Sequence, residues 1–312
     1  MKKVMRQIGR ATGFFAIYFG SQIAAMMVVS IICGIVAAAR HSGDVITSLE
    51  ETSQEGQLLY AQNMGVVLIL SAILALAIYL IIFAARKVNP PEQIDLRKLS
   101  VKGIALSVLG GLSAMLFLNF VLDFIPFPEG ILENLEETLD IYNNFSLWQA
   151  IVGNALLFPF LEEVVFRGLI FGRLRRAMPA LVAAIITSVV FGLMHGYPIL
   201  MLWAFCFSMI ICYARVKTDS ILPGIIIHVI VNSFAVICNY SGILEYASVP
   251  AIIILTVVGF LGLVAYFIGF TILGKKENAK LRELTRYAEE EKARLEKLAA
   301  KEASKEESAV IL

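Results

Sequence analysis

Charged residues are scarce in this 312-residue chain. Only 16% of the residues are Asp, Glu, Lys or Arg, 59% are hydrophobic, and the formal net charge is +1. Soluble domains usually contain about 25% charged and about 45–50% apolar residues. The sequence also lacks a basic patch with interleaved aromatic residues and a phosphate-cradling glycine loop, so it gives no indication of a nucleic-acid partner.

Cysteines are few and isolated. The four are Cys33, Cys206, Cys212 and Cys238, each within an apolar run, and no CxxC pair is present. We interpret them as small apolar side chains, and we predict no disulfide framework.

What the chain has instead is a series of apolar runs of about 20 residues, long enough to cross a bilayer core of about 30 Å. In lipid, an isolated run can satisfy its backbone polar groups only as a helix. The sequence therefore predicts an all-α, polytopic membrane bundle of about eight spans. A count of seven stays open, because the sixth run is short and polar residues interrupt the fourth and fifth. The predicted spans are 11–39, 64–85, 103–122, 148–170, 179–197, 199–214, 221–240 and 250–273.

The basic residues fall before the first span, after the eighth and in alternate loops between them, whereas the other loops are acidic. Basic loops stay cytoplasmic, so we predict that both termini are cytoplasmic. The first apolar run is near 28 residues, far longer than the roughly 7–15 of a signal peptide, and we expect it to be retained. The expected location is a plasma membrane, with a bacterial setting preferred.

The fourth span contains FLEEVVFR, residues 160–167. Ionisable residues inside a span are costly, about 2.5–3.5 kcal/mol each on insertion scales. Glu163 and Arg167 are four residues apart, share a helix face and can pair. Glu162 is turned about 100° away, so it stays available as a general base. The alternative is a helix end at which these side chains reach the membrane interface.

Two later spans carry the other polar residues. Phe191 and His195 share a face at the end of the fifth span, and His228 and Asn232 share a face in the seventh. Taken singly, a histidine at the position of His195 usually has a structural or interfacial role, and interhelical hydrogen bonding is the more common role of a pair such as His228 and Asn232. Together with the glutamates of the fourth span, these residues instead favour a functional site. The third histidine, His41, lies in a loop.

The series EExxxR, FxxxH and HxxxN, in this order on three spans, resembles the CPBP family. This family comprises the CAAX prenyl endopeptidases and bacterial bacteriocin-processing or self-immunity membrane proteins, also called Abi-type proteases. The resemblance covers residues 148–240 and implies an intramembrane peptidase core. Residues 1–147 would then hold the N-terminal spans, 241–274 the last span and 275–312 a charged cytoplasmic tail.

The resemblance also implies roles for single residues. Glu162 and His195 would activate the attacking water, while His228 and Asn232 would stabilise the oxyanion. In the same comparison, Glu163 and Arg167 would hold the architecture of the site.

Metal use stays open at this point. Glu162, His195, His228 and Asn232 together offer a divalent-ion site, and the family is commonly called a metalloprotease group. The sequence contains no HExxH pattern, however, which would mark a zinc site plainly. A zinc mechanism and a metal-free glutamate mechanism both fit these residues.

The depths of the two activating residues conflict in straight helices. At about 1.5 Å per residue, Glu162 and His195 would lie at different depths relative to Arg173. We therefore expect residues 168–178 to form an amphipathic cytoplasmic segment, which would place the site in the cytoplasmic half of the membrane.

The implied substrate is a membrane-embedded or lipidated peptide, either CAAX-like or like a bacteriocin leader. The alternative is a non-proteolytic immunity or scaffolding protein in which the polar residues only join helices. A proton-relaying transporter is a third hypothesis, although we find no inverted repeat in the sequence. The Glu- and Lys-rich tail predicts a solvated helix, a short coiled coil or a partner-binding helix.

Overall fold

The computed structural model describes residues 2–41, 48–128, 130 and 145–276. The predicted acidic loop around residues 133–140 and the charged tail from residue 277 onward lie outside the described residues. The proposed coiled coil or partner-binding helix in that tail therefore stays a prediction.

Within the described residues the chain forms helices and no strand, which confirms the predicted all-α fold. Short helical turns at Pro90–Gln93, Leu122–Phe124 and Ile243–Tyr246 lie between the longer elements. In chain order, the longer elements are α1 (Lys2–Arg40), α2 (Ser48–Gln62), α3 (Met64–Ala85), α4 (Val101–Val121), α5 (residues 147–174), α6 (Ala180–Leu193), α7 (Pro198–Thr218), α8 (Leu222–Ser241) and α9 (Val249–Lys276).

Six of these helices are long and apolar enough to cross a membrane: α1, α3, α4, α7, α8 and α9. They correspond to the first three and the last three predicted spans. Their outward faces carry exposed large apolar side chains such as Ile31, Ile81 and Leu261. Soluble monomers rarely expose contiguous apolar faces of this extent. The chain is a multi-pass integral membrane protein.

The expectation that the sixth span is the short one is wrong. The helix α7 has 21 residues and α6 only 14. The turn at Gly196, where φ is +77°, ends α6 early, and α7 begins at Pro198. Arg215 does not mark a helix end, because its side chain is buried and paired with Asp95, and α7 continues to Thr218.

The helix α5 takes the place of the fourth predicted span and contains two π-helical segments, Ala150–Leu157 and Glu163–Ile170. A π turn closes its hydrogen bond at i→i+5, so it is wider and advances less along the axis than an α turn. Every residue from Glu163 to Leu174 is buried. This helix is therefore the central element around which the others pack.

The expectation of an amphipathic cytoplasmic segment over residues 168–178 is wrong for residues 168–174. Residues 168–174 continue α5 and are buried, and only residues 175–178 leave the helix. The slower advance of the π turns reduces the depth difference that motivated the expectation.

Aromatic rings hold α1 and α6 against α5. The Phe166 ring on α5 lies 5.3 Å from the Tyr18 ring of α1 and 5.0 Å from the Phe191 ring of α6, both edge to face. Such aromatic pairs stabilise by about 0.5–1.5 kcal/mol beyond the area they bury. The polar residues of α5 are thereby enclosed by rings on two sides.

The loops predicted to be cytoplasmic meet at one end of the bundle. Asp95 accepts hydrogen bonds from Arg97 at 3.3 Å and from Arg215 at 2.5 Å. Arg175, in the loop after α5, pairs with Asp219 at the end of α7. Three loops assigned to one side by their charge are therefore close in space, while the orientation of the termini stays a prediction.

Candidate active site

The ion pair expected from the spacing in α5 is present. Arg167 donates from Nη1 to Oε1 of Glu163 at 2.7 Å, and both side chains are fully buried. The guanidinium also lies over the Phe191 ring, 4.7 Å from its centroid, and points Nη2 toward the Ser208 carbonyl at 3.5 Å. The pair therefore joins α5 to α6 and α7.

A single imidazole stands between the two carboxylates. Nδ1 of His228 lies 2.9 Å from Oε1 of Glu163, and Nε2 lies 3.6 Å from Oε2 of Glu162. An ionised carboxylate can only accept, so Nδ1 carries the hydrogen. The Nε2 distance is too long for a strong direct hydrogen bond and leaves room for a shared water contact.

The start of α8 approaches α5 closely because residue 224 is a glycine. A Cβ atom at Gly224 would lie 2.3 Å from Oε2 of Glu163 and 2.8 Å from Cγ2 of Ile211. This close approach brings His228, one turn later on α8, within reach of Glu163. The buried Oε2 of Glu163 accepts no hydrogen bond from the described residues.

The helix α1 supplies a residue that the sequence analysis did not single out. The buried Tyr18 hydroxyl donates to Oε1 of Glu162 at 2.9 Å. Tyr18 therefore fixes one carboxylate oxygen, and the other faces His228. The only available signal was a phenol inside the first apolar run, and no motif links that position to residue 162.

His195 lies in the turn after α6, at the edge of this cluster. Its Nδ1 lies 2.8 Å from the Phe191 carbonyl, which can only accept, so Nδ1 carries the hydrogen. Nε2 has no hydrogen-bond partner among the described residues. Its ring packs 4.9 Å from the Phe191 ring, which also lies 6.0 Å from the His228 ring. Among the described side chains, His195 makes no direct hydrogen bond or ion pair with Glu162 or His228.

Asn232 follows His228 by one turn of α8. Its Nδ2 donates to the carbonyl of Asn154, in the first π segment of α5, at 2.9 Å. An amide nitrogen has two hydrogens, so this bond leaves one donor of Asn232 for another acceptor. The structure therefore joins five predicted residues and Tyr18 along the facing surfaces of α5, α8 and α1, with His195 beside them across Phe191.

Residues 144–234 match the family profile described as Type II CAAX prenyl endopeptidase Rce1-like. We refer to the matching residues, 144–234, as the Rce1-like core. The match confirms the predicted relationship to the CPBP family, and it includes every residue predicted for the site: Glu162, Glu163, Arg167, His195, His228 and Asn232.

The chain is also similar to a protein of Bacillus subtilis (strain 168) named "Putative membrane peptidase YdiL", with 33% identity over 116 residues. The aligned region is 36% of this chain and 46% of that relative, so the chain spans about half the length of the relative it matches. No solved structure matches the chain significantly. Tyr18 lies outside the Rce1-like core.

The predicted ligands do not fit a zinc site in this arrangement. In the described part of the chain, no three His, Cys, Asp or Glu side chains come together in a group that could hold a metal ion. Catalytic zinc usually takes three protein ligands. In the Rce1-like core, Nε2 of His228 and Oε2 of Glu162 are the two ligand atoms that remain, and His195 makes no direct hydrogen bond or ion pair with either residue, so a third ligand is missing from this arrangement of the described residues. We therefore derive no step through a metal.

Proposed function

We propose that the protein is an intramembrane endopeptidase that hydrolyses a peptide bond in a membrane-associated substrate. The observation that carries the proposal is the placement of Oε2 of Glu162 opposite Nε2 of His228, 3.6 Å apart and on two buried side chains. A base and a donor so placed can hold one water molecule between them. The Rce1-like core supports this assignment.

In the proposed reaction, Glu162 takes a proton from the water as its oxygen attacks the substrate carbonyl carbon. His195, through its unengaged Nε2, would orient that water from the other side. The same Glu162 then returns the proton to the amine nitrogen as the carbon–nitrogen bond breaks. One water is consumed, and a new carboxyl group and a new amine are formed.

The oxyanion formed in the first step needs donors aimed at it. His228 can donate from Nε2 only when its ring is doubly protonated, because Nδ1 already donates to Glu163. In that state the buried charges of Glu162, Glu163, Arg167 and His228 sum to zero. A neutral buried group of this kind avoids an uncompensated charge. The second amide hydrogen of Asn232 is the other proposed donor.

The substrate class follows from the position of the site among membrane-spanning helices. We propose a membrane-embedded or lipidated peptide, CAAX-like or leader-like, which would reach the pocket from the bilayer or its surface. The alternative of a scaffolding or immunity protein has one supporting observation: Tyr18, His228 and Asn232 each bond to α5 from another helix.

Peptide cleavage by the purified full chain tests the proposal. Wild-type protein in lipid would be incubated with prenylated C-terminal peptides and with leader peptides, and the products identified by mass spectrometry. We expect Glu162→Gln to lower turnover at least about 100-fold, the usual contribution of a general base, and to remain folded, because its amide oxygen can still accept from Tyr18. The exposed Glu92 is a matched control, and Glu92→Gln should keep full turnover.

Substitution of the neighbouring Glu163 distinguishes a structural role from the catalytic role proposed for Glu162. Glu163→Gln leaves the buried Arg167 without its counter-charge, which typically costs about 3–5 kcal/mol of stability. We therefore expect Glu163→Gln to lower the unfolding temperature more than Glu162→Gln does. Cleavage that survives Glu162→Gln would contradict the role of Glu162 as the base. A wild-type protein that cleaves none of these peptides, with a cellular phenotype retained by Glu162→Gln, would favour the scaffold.

A further inference from the structure

The arginines at the end predicted to be cytoplasmic fall into two groups. Each arginine of the first group pairs with one of the aspartates described above: Arg97 and Arg215 pair with Asp95, and Arg175 pairs with Asp219. These side chains form an ionic network at the ends of α5 and α7, in which three arginines share two aspartates.

The second group, called here the arginine cluster, consists of Arg10, Arg86, Arg173 and Arg176. It lies where α1 begins its apolar run, where α3 ends and where α5 ends. None of these four guanidinium groups forms a hydrogen bond or ion pair with a described residue. Arg175 and Arg176 are adjacent in sequence, yet only Arg175 has an acidic partner among these residues.

Arg173 is the centre of the cluster and is only 7% exposed. Its Nε atom is fully buried without an acceptor, and its guanidinium carbon lies 5.9 Å from the Phe14 ring. Burial, with repulsion from Arg176, Arg10 and Arg86, lowers the pKa of Arg173 to about 10. The group therefore remains a cation at neutral pH. Phe14, under Arg173, lies one turn after Arg10 on α1, and Tyr79 of α3 bonds to the Phe14 carbonyl, so the ends of α1, α3 and α5 meet at this point.

A buried Nε–H group without an acceptor is costly, and three further cations beside the same guanidinium raise that cost. Ordinary basic residues at a membrane boundary stay exposed and are solvated by water. Arg10, Arg86 and Arg176 behave in this way, whereas Arg173 does not. The arrangement is that of a site prepared for an anion with several acceptor oxygens.

We propose that the arginine cluster binds the phosphate of an anionic phospholipid headgroup. Guanidinium groups bind phosphate oxygens in pairs of parallel hydrogen bonds, and basic pockets between membrane helices on the cytoplasmic side take such headgroups. The position of the cluster at the helix ends places it at headgroup level. Leu80 and Ile81, exposed on α3 before Arg86, offer apolar surface beside an acyl chain.

The test compares unfolding of the full-length protein with two lipids of identical chains, phosphatidylglycerol and phosphatidylcholine. We expect phosphatidylglycerol to raise the unfolding temperature of the wild type above its value in phosphatidylcholine. Arg173→Gln should lose most of this difference and weaken phosphatidylglycerol binding about tenfold in native mass spectrometry. In phosphatidylcholine alone, Arg173→Gln should unfold close to the wild-type temperature, because the variant loses the contact with Phe14 but no hydrogen bond or ion pair with a described residue.

Lys102→Gln is the matched control, since it removes one exposed positive charge from the same face outside the cluster. It should keep the phosphatidylglycerol effect. Equal effects in all three proteins would overturn the proposal, as general attraction to an anionic surface would explain them. A shift given by inorganic phosphate and not by the lipid would assign the site to a soluble phosphate. A destabilisation of Arg173→Gln in phosphatidylcholine as large as that expected for a broken buried ion pair, about 3–5 kcal/mol, would indicate an acidic partner within the chain and would also overturn it.

Discussion

Removal of the Tyr18 hydroxyl tests the proposed role of Glu162 without touching the residues of the family motifs. Tyr18→Phe keeps the ring that packs on Phe166 and Phe158 and deletes only the donor to Oε1 of Glu162. A buried hydrogen bond to a charged group contributes about 1.5–3 kcal/mol. If Glu162 must be held in place when it takes the proton, kcat should fall about 10- to 100-fold.

The value of KM should change little, because the buried Tyr18 hydroxyl contacts Glu162 and acts through it as a positioning residue. The assay is steady-state peptide cleavage over a range of substrate concentrations, together with the unfolding temperature of each protein. Tyr79→Phe is a matched control: its buried hydroxyl donates to the Phe14 carbonyl of α1 at 2.7 Å and does not contact Glu162.

The two variants should therefore differ in kcat. Tyr79→Phe should lose about 1 kcal/mol of stability, as for a typical hydrogen bond, and keep its kcat. Equal kcat values for both variants, or a change confined to KM, would refute the positioning role of Tyr18.

Three further outcomes are expected. Gly224→Ala should destabilise the protein by about 1–3 kcal/mol, the usual cost of overpacking, because the added Cβ would meet Oε2 of Glu163, which is held in place; an unchanged unfolding temperature would contradict this close approach. Treatment with a chelator should leave peptide cleavage unchanged, and activity restored only by added zinc would contradict the metal-free proposal. Hydrogen bonds from Arg40 and His41 lower the pKa of Glu55 below its usual 4.5, so the contact of α2 with the end of α1 is present above that pH and is lost as the pH falls through the lowered value; hydrogen exchange of α2 should show this acid opening in the wild type and not in Glu55→Gln.

Patterns within single helices predicted much of this structure. Hydropathy located the six long helices, and the spacing of four residues anticipated the Glu163–Arg167 pair. These features depend on residues one turn apart or on runs of uniform character, so one sequence is sufficient to reveal them.

Contacts between distant helices were not predictable in the same way. Tyr18 and Glu162 are 144 positions apart, and nothing at either position specifies the other. The π turns of α5 depend on packing against several neighbours. The burial of Arg173 was missed because a basic residue after a span ordinarily predicts an exposed loop.

The shortness of α6 has a consequence for access to the bond that is cut. Fourteen residues at about 1.5 Å each extend about 21 Å, well short of a hydrocarbon core of about 30 Å. The non-helical turn that bears His195 would then lie inside the hydrocarbon core. At that depth, non-helical backbone is tolerated only where it is buried in protein or lines a water-filled cavity. Such a cavity would let water reach the site at a depth from which the surrounding lipid otherwise excludes water.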